Sequence, residues 1–150
     1  MNVSPDGIEF TQSFEGCRLD AYLDEAGIPT IGWGHIEGVE LGMTWTQEQA
    51  DAQFLEDMEP FESTVSNALT VEVTQPQYDA LFDFSYNEGS TALLHSTLLA
   101  HINAGGDLTG LFEKWDKVRE DGVLEVSAGL LRRRKAEDAL YSSGDYGVQP

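Results

Sequence analysis

The sequence predicts an α+β domain, mostly helical, with one small antiparallel β-sheet in its N-terminal lobe. Three observations predict it. Apolar residues recur at spacings of three and four, most clearly at Ala50, Phe54, Met58 and Phe61. Helix start and stop signals are frequent along the chain. A single stretch near the N-terminus alternates and then turns back on itself, as a strand pair does. With 150 residues and 41% hydrophobic content, the chain can bury one core, so residues 1–150 are read as one domain.

Ser4-Pro5 reads as an N-cap followed by proline at the first helical position, opening a helix that runs to about Gly16. Ile8, Thr11, Phe14 and Glu15 fall on one stripe of it. "RLDAYLD" then alternates Leu19, Ala21 and Leu23 against Arg18, Asp20, Tyr22 and Asp24. "DEAG" is a turn and "IPTIGWG" the returning strand. If the loop is Glu25 to Gly27, Asp24 pairs with Ile28, and Thr30 lies diagonally on the face of Asp24. A loop one residue longer or shorter puts the two on opposite faces, and the sequence leaves both registers open.

Thr46 with Gln49 is a capping box opening a long helix over 46–69, which Pro60 is expected to kink. Thr74 with Gln77 repeats the device before "YDALFDFSYN". A short helix is predicted at about Thr91–Leu94, and "STLLAHINAGG" forms another, stopped by Gly105. After "LTGLFEKWDKV" a turn at "EDGV" leads to the last helix, about Ser127–Ser143, closed by Gly144.

The charge excludes several functions. Twenty-seven acids against eight bases give a net charge of −19, which argues against nucleic-acid binding. Arg18 is the single base before residue 114, and four of the eight bases lie in "RRRK", 132–135. The acidity reads as a solvated, self-repelling surface; a salt-rich host is the sharper alternative. No apolar run approaches the roughly 18 residues needed to span a bilayer, so no membrane insertion is expected. "MNVSPDGIEF" lacks the basic region and apolar core of a signal peptide, so neither an anchor nor an export signal is expected. The lone Cys17 has no partner for an internal disulfide and reads as a packed small residue. His35, His95 and His101 show no metal-ligand spacing, so no metal and no other cofactor is expected.

The stretch "FEGCRLDAYLDEAGIPTIGWGH", 14–35, carries the chemistry. Glu15 stands at the C-terminal end of a helix on a partly apolar stripe. The helix dipole and partial burial both disfavour its charge, which suits a general acid. Asp24 sits at a polar turn and is expected to stay ionised. Two carboxyls in unlike environments facing one cleft match glycosidic-bond cleavage. Thr30 is placed to hold a water. Gly32 and Gly34 leave room for a bulky ring to approach.

Glu15-Gly16, Asp24 and "PTIGWGH", 29–35, resemble the phage lysozymes of glycoside hydrolase family 24. "TQPQYDALFDFSYNEG", "STLLAHINAG" and "GLLRRRKAEDALY" resemble that family's later helices, in the same order. The resemblance covers nearly the whole chain. It implies a lysozyme-like fold and hydrolysis of the β-1,4 bond between N-acetylmuramic acid and N-acetylglucosamine. Glu15 is then the general acid. Asp24 orders the water or stabilises positive charge on the sugar, Thr30 completes the triad, and the outcome is inversion. Gly34 and His35 follow the motif, His35 as a structural support. Asp20 matches no catalytic position and reads as solvated. Arg133, with Arg134 next, matches the cationic partner of the catalytic glutamate, a pairing that opposes the burial-driven rise in its pKa.

The resemblance further implies bacterial peptidoglycan as partner, a monomer, host-cytoplasmic residence until a separate holin gives access to the wall, and host-cell lysis. Two rival readings are weaker. A glycan-binding module that has lost activity conflicts with an intact Glu15, Asp24 and Thr30, and a lytic transglycosylase needs neither Asp24 nor Thr30.

Overall fold

Short-range capping interactions set the helix ends in the computed structural model, which describes residues 1–120 and 122–147. Helix α1 spans Pro5–Glu15; the Ser4 hydroxyl accepts the Gly7 N–H at 3.0 Å, the N-cap expected there. Strands β1, Arg18–Leu23, and β2, Pro29–Gly32, form an antiparallel pair. Helix α2, Gln47–Ala68, opens on the Thr46–Gln49 capping box and continues through Pro60. Helix α3, Gln75–Glu88, opens on the Thr74–Gln77 box. Helices α4, Ser90–Leu94, and α5, Thr97–Ala104, follow, with Ser96 capping α5 and Gly105 closing it. After a 3₁₀ turn at Glu113–Trp115 come β3, Lys117–Glu120, β4, Val123–Val126, and helix α6, Ala128–Ser143, capped by Ser127 and closed by Gly144.

The β3–β4 hairpin corrects the expectation of one sheet. Glu120 pairs with Val123, so two residues join the strands. Of these, Asp121, within the expected "EDGV" turn, lies outside the described residues. Gly122, with φ 79°, supplies the positive φ that so short a hairpin connection favours.

Two compact units make up the chain: Glu9–Pro60, and Met1–Ile8 with Phe61–Pro150. In the first, a third segment joins β1: Ala21 donates to Met43 O at 2.9 Å and Trp45 to Leu19 O at 2.8 Å. Asp20 is exposed, as expected, yet accepts the Thr44 hydroxyl at 2.9 Å and so fastens this edge. Phe10, Ile31, Val39, Ala50 and Phe54 are buried.

In the second unit α3 is the central helix, with every residue from Tyr78 to Ser85 buried. It packs on α6. Its two buried carboxylates are each satisfied. Asp79 accepts from Ser4, Gln75 and the Tyr146 hydroxyl, and Asp83 is held by Arg133. "RRRK" is therefore not one solvated face. Arg132 and Lys135 are exposed, whereas Arg133 and Arg134 are buried and ion-paired. Among the described residues, no helix is long and apolar enough to cross a membrane.

Candidate active site

The register of the first hairpin decides the site. Asp24 donates its N–H to Ile28 O at 3.0 Å, and the loop is Glu25 to Gly27, the length that puts Asp24 and Thr30 on one face. Tyr22 is the cross-strand partner of Thr30 and Leu23 that of Pro29. Asp24, two residues beyond Tyr22, therefore shares the face of Thr30.

Asp24 is anchored through one oxygen. Its Oδ1 accepts the N–H groups of Ala26, at 2.9 Å, and Ile28, at 2.8 Å. These bonds fix the carboxylate in the turn and leave Oδ2 available to a water or a sugar. Thr30 is buried, and its hydroxyl donates to Ile28 O at 2.9 Å. With its hydrogen committed, the Thr30 oxygen offers lone pairs, so a water would have to donate to it.

Beyond Thr30 the chain turns sharply. Ile31 and His35 exchange two backbone hydrogen bonds, both 2.9 Å, so Gly32, Trp33 and Gly34 form a three-residue loop. Gly32 has φ 65° and Gly34 φ 95°, conformations that side chains with a Cβ rarely adopt. Their surroundings differ. A Cβ on Gly32 would stand 3.0 Å from the Trp45 ring, so Gly32 serves packing, not the approach of a sugar. A Cβ on Gly34 would meet one group only, Glu15 Oε2 at 3.9 Å. Gly34 is exposed and Glu15 half-buried. The loop after Thr30 thus runs beside the carboxylate that ends α1.

Helix α2 fixes this loop. His35 Nδ1 meets the Asp57 carboxylate at 2.8 Å, and its Nε2 meets Glu37 O at 2.9 Å. Trp33 Nε1 donates to Asp51 at 2.8 Å, and its ring meets Phe54 edge-on. Asp51, Phe54 and Asp57 recur every three residues, so one face of α2 supplies all three. Sequence reasoning missed Asp51 and Asp57; two acids in step with an apolar stripe were the available signal.

Arg133 donates Nε to Asp83 Oδ2 at 2.9 Å and Nη2 to Oδ1 at 2.8 Å, a bidentate pair. Arg134 Nη2 donates to Glu137 Oε1 at 2.6 Å. Burial and the neighbouring Asp83 charge push the Glu137 carboxyl well above the usual range. Cys17 is a half-buried free thiol whose sulfur accepts from Gln47 at 3.7 Å. Among the described residues no group of three or more His, Cys, Asp or Glu side chains could hold a metal ion.

A mostly helical fold with a hairpin that sets an aspartate and a threonine on one face, and a helix-ending glutamate beside the following loop, is the arrangement expected of a glycoside hydrolase of the lysozyme class. The comparisons agree. The family model for phage lysozymes matches residues 12–137. An endolysin of Acyrthosiphon pisum secondary endosymbiont phage 1 is 39% identical over 146 residues, 95% of this chain and 99% of the relative. An endolysin of Salmonella phage P22 is 38% identical over 95% of this chain and 99% of its own. The solved endolysin from Escherichia coli O157:H7 phage FAHEc1 superposes with a TM-score of 0.93 at 40% identity, covering 99% of this chain and 98% of the other. The muramidase domain of SpmX from Asticaccaulis excentricus gives 0.87 at 34%, covering 95% and 98%. The chain belongs to the phage lysozyme family, and it is a glycoside hydrolase that acts on peptidoglycan.

Proposed function

We propose that Glu15, Asp24 and Thr30 carry the reaction, and that residues 1–150 act as one catalytic domain. Glu15 gives its proton to the oxygen between N-acetylmuramic acid and N-acetylglucosamine as the bond breaks. A water held by Asp24 and the Thr30 oxygen attacks the opposite face of the sugar, with Asp24 taking a proton from it. Inversion follows from that geometry. The observation that carries this reading is the hairpin register, which sets Asp24 on the face of Thr30. The nearness of Glu15 Oε2 to position 34 supports it, because the glutamate then lies beside the loop that follows Thr30.

Gly34 and His35 support the site, Gly34 by leaving room at Glu15 and His35 by tying the loop to α2. Arg133 is proposed as the cationic partner of Glu15 on the strength of the closing-helix motif. A double-mutant cycle of Glu15→Gln with Arg133→Gln tests it; additive losses in kcat would end the proposal. A monomer, cytoplasmic residence and release through a separate holin stay proposals that rest on the family resemblance. Light scattering, and expression with and without a holin, test them.

The reaction is tested by digesting purified peptidoglycan. Mass spectrometry should find new muramic acid reducing ends, and proton NMR should find them α-configured at first. Anhydromuramic ends would instead make the chain a transglycosylase, and β-configured ends would exclude inversion.

A further inference from the structure

We propose that Arg18, laid on the ring of Tyr22, forms an anion-binding subsite next to Asp24 and Thr30 that takes a carboxylate of the wall polymer. The proposal rests on the lysozyme reading above. The Arg18 guanidinium carbon stands 4.0 Å from the centre of the Tyr22 ring. Tyr22 is the cross-strand partner of Thr30 and lies two residues before Asp24, so the stacked pair continues the face that carries both. Arg18 is exposed, and among the described residues it makes no ion pair, although the chain holds 27 acids.

Stacking suits a guanidinium for recognition. The ring covers one face and restricts the side chain, while the N–H edge stays open as a planar fork that matches a carboxylate. Arg18 is also the only base in the first 113 residues. A chain of net charge −19 repels an anionic polymer at long range, so a seated polymer gains from one contact in which its charge is directly matched. Peptidoglycan offers that carboxylate from two sources: the stem peptides, and the lactyl group of muramic acid where the peptide has been removed.

The test compares the whole chain with Arg18→Gln, Arg18→Lys and Tyr22→Ala, and with Lys114→Gln as a control for loss of one exposed charge. Three substrates are used: native peptidoglycan, amidase-treated glycan with free lactyl groups, and peptidoglycan whose carboxylates have been amidated with carbodiimide and ammonia. On native wall Arg18→Gln should raise KM about tenfold with kcat within about twofold, the size expected for one charged hydrogen-bonded contact. Arg18→Lys should recover only part of this, because the fork is lost. Tyr22→Ala should match Arg18→Gln. On amidated wall Arg18→Gln and the parent should agree within about twofold. A loss on amidase-treated glycan shows that a free lactyl carboxylate can fill the subsite; a loss confined to native wall assigns the stem peptide. Equal loss on amidated wall, or no loss beyond that of Lys114→Gln, overturns the subsite. Circular dichroism separates a folding defect, and Arg18→Gln decides if Tyr22→Ala unfolds. A parent chain that releases no muramic acid ends from any substrate would instead end the lysozyme reading.

Discussion

Gly34 stands against Glu15: a Cβ at position 34 would lie 3.9 Å from the glutamate Oε2, and the glycine holds φ at 95°. Gly34→Ala should therefore cost about 1 kcal/mol of stability through the backbone. It should also lower kcat by shifting the loop relative to the acid. Glu15→Gln keeps the shape and removes the proton, so its rate should fall by about 10² or more with folding intact. Steady-state lysis assays and circular dichroism check both, and a fully active Glu15→Gln protein would remove the acid from the mechanism.

Asp24→Asn keeps the turn but removes the charge. Its amide oxygen can still accept the Ala26 and Ile28 N–H groups, so the hairpin should hold while activity falls severely. Thr30→Ala should bind glycan and cleave it poorly. Thr30→Glu puts a carboxylate where the water is proposed to sit, and it should trap a covalent glycosyl adduct visible by intact-mass measurement. Wild-type turnover without adduct would place Thr30 away from the reaction centre.

The Glu137 carboxyl holds its proton to higher pH when folded than when unfolded. Folding therefore takes up a proton above the usual carboxylate range, and stability falls as pH rises towards the folded value. Glutamine mimics the protonated form, so Glu137→Gln should lose this slope, and the parent should lose stability relative to it as pH rises. Glu137→Ala leaves Arg134 short of a buried partner and should cost about 3 kcal/mol. Urea titrations from pH 4 to 8 distinguish the two.

Tyr146 donates to Asp79 at 2.7 Å, and burial with that bond pushes its hydroxyl from 10.0 up to about 12. Its contribution is full below pH 10 and is lost as pH rises through about 12. The parent should therefore be more stable than Tyr146→Phe at pH 8, and the gap should close as pH passes from 10 to 12. Thermal melts of the pair measure that gap, and a constant difference would deny the linkage.

Net charge sets the salt response. At about 0.01 M the Debye length is roughly 30 Å, and at about 0.15 M roughly 8 Å. Screening weakens both repulsion from the anionic wall and repulsion within the fold. Wall lysis and melting temperature should therefore rise together from about 10 to 150 mM sodium chloride. Lysis that falls while melting temperature rises would mean that local attraction at basic side chains governs the encounter.

What the sequence determined by itself was local. Ser4, the Thr46–Gln49 and Thr74–Gln77 boxes, Gly105 and Gly144 act within about one helical turn, so their effect is readable wherever they occur. Glu15, Asp24 and Thr30, the residues proposed to carry the reaction, could be named from sequence because the motif lies within 16 residues. Tertiary structure decided the rest. Whether Asp24 and Thr30 share a face turned on one residue of loop length, which hydrogen bonds to Asp24 select and composition does not. Gly32 and Gly34 look alike in sequence, yet Trp45 packs on one and the Glu15 carboxylate lies beside the other. "RRRK" reads as one charged run. A helix turns each successive residue by about 100°, so two of the four arginines and lysine face inward. Their partners, Asp83 some 50 residues away among them, are chosen only when α3 packs on α6.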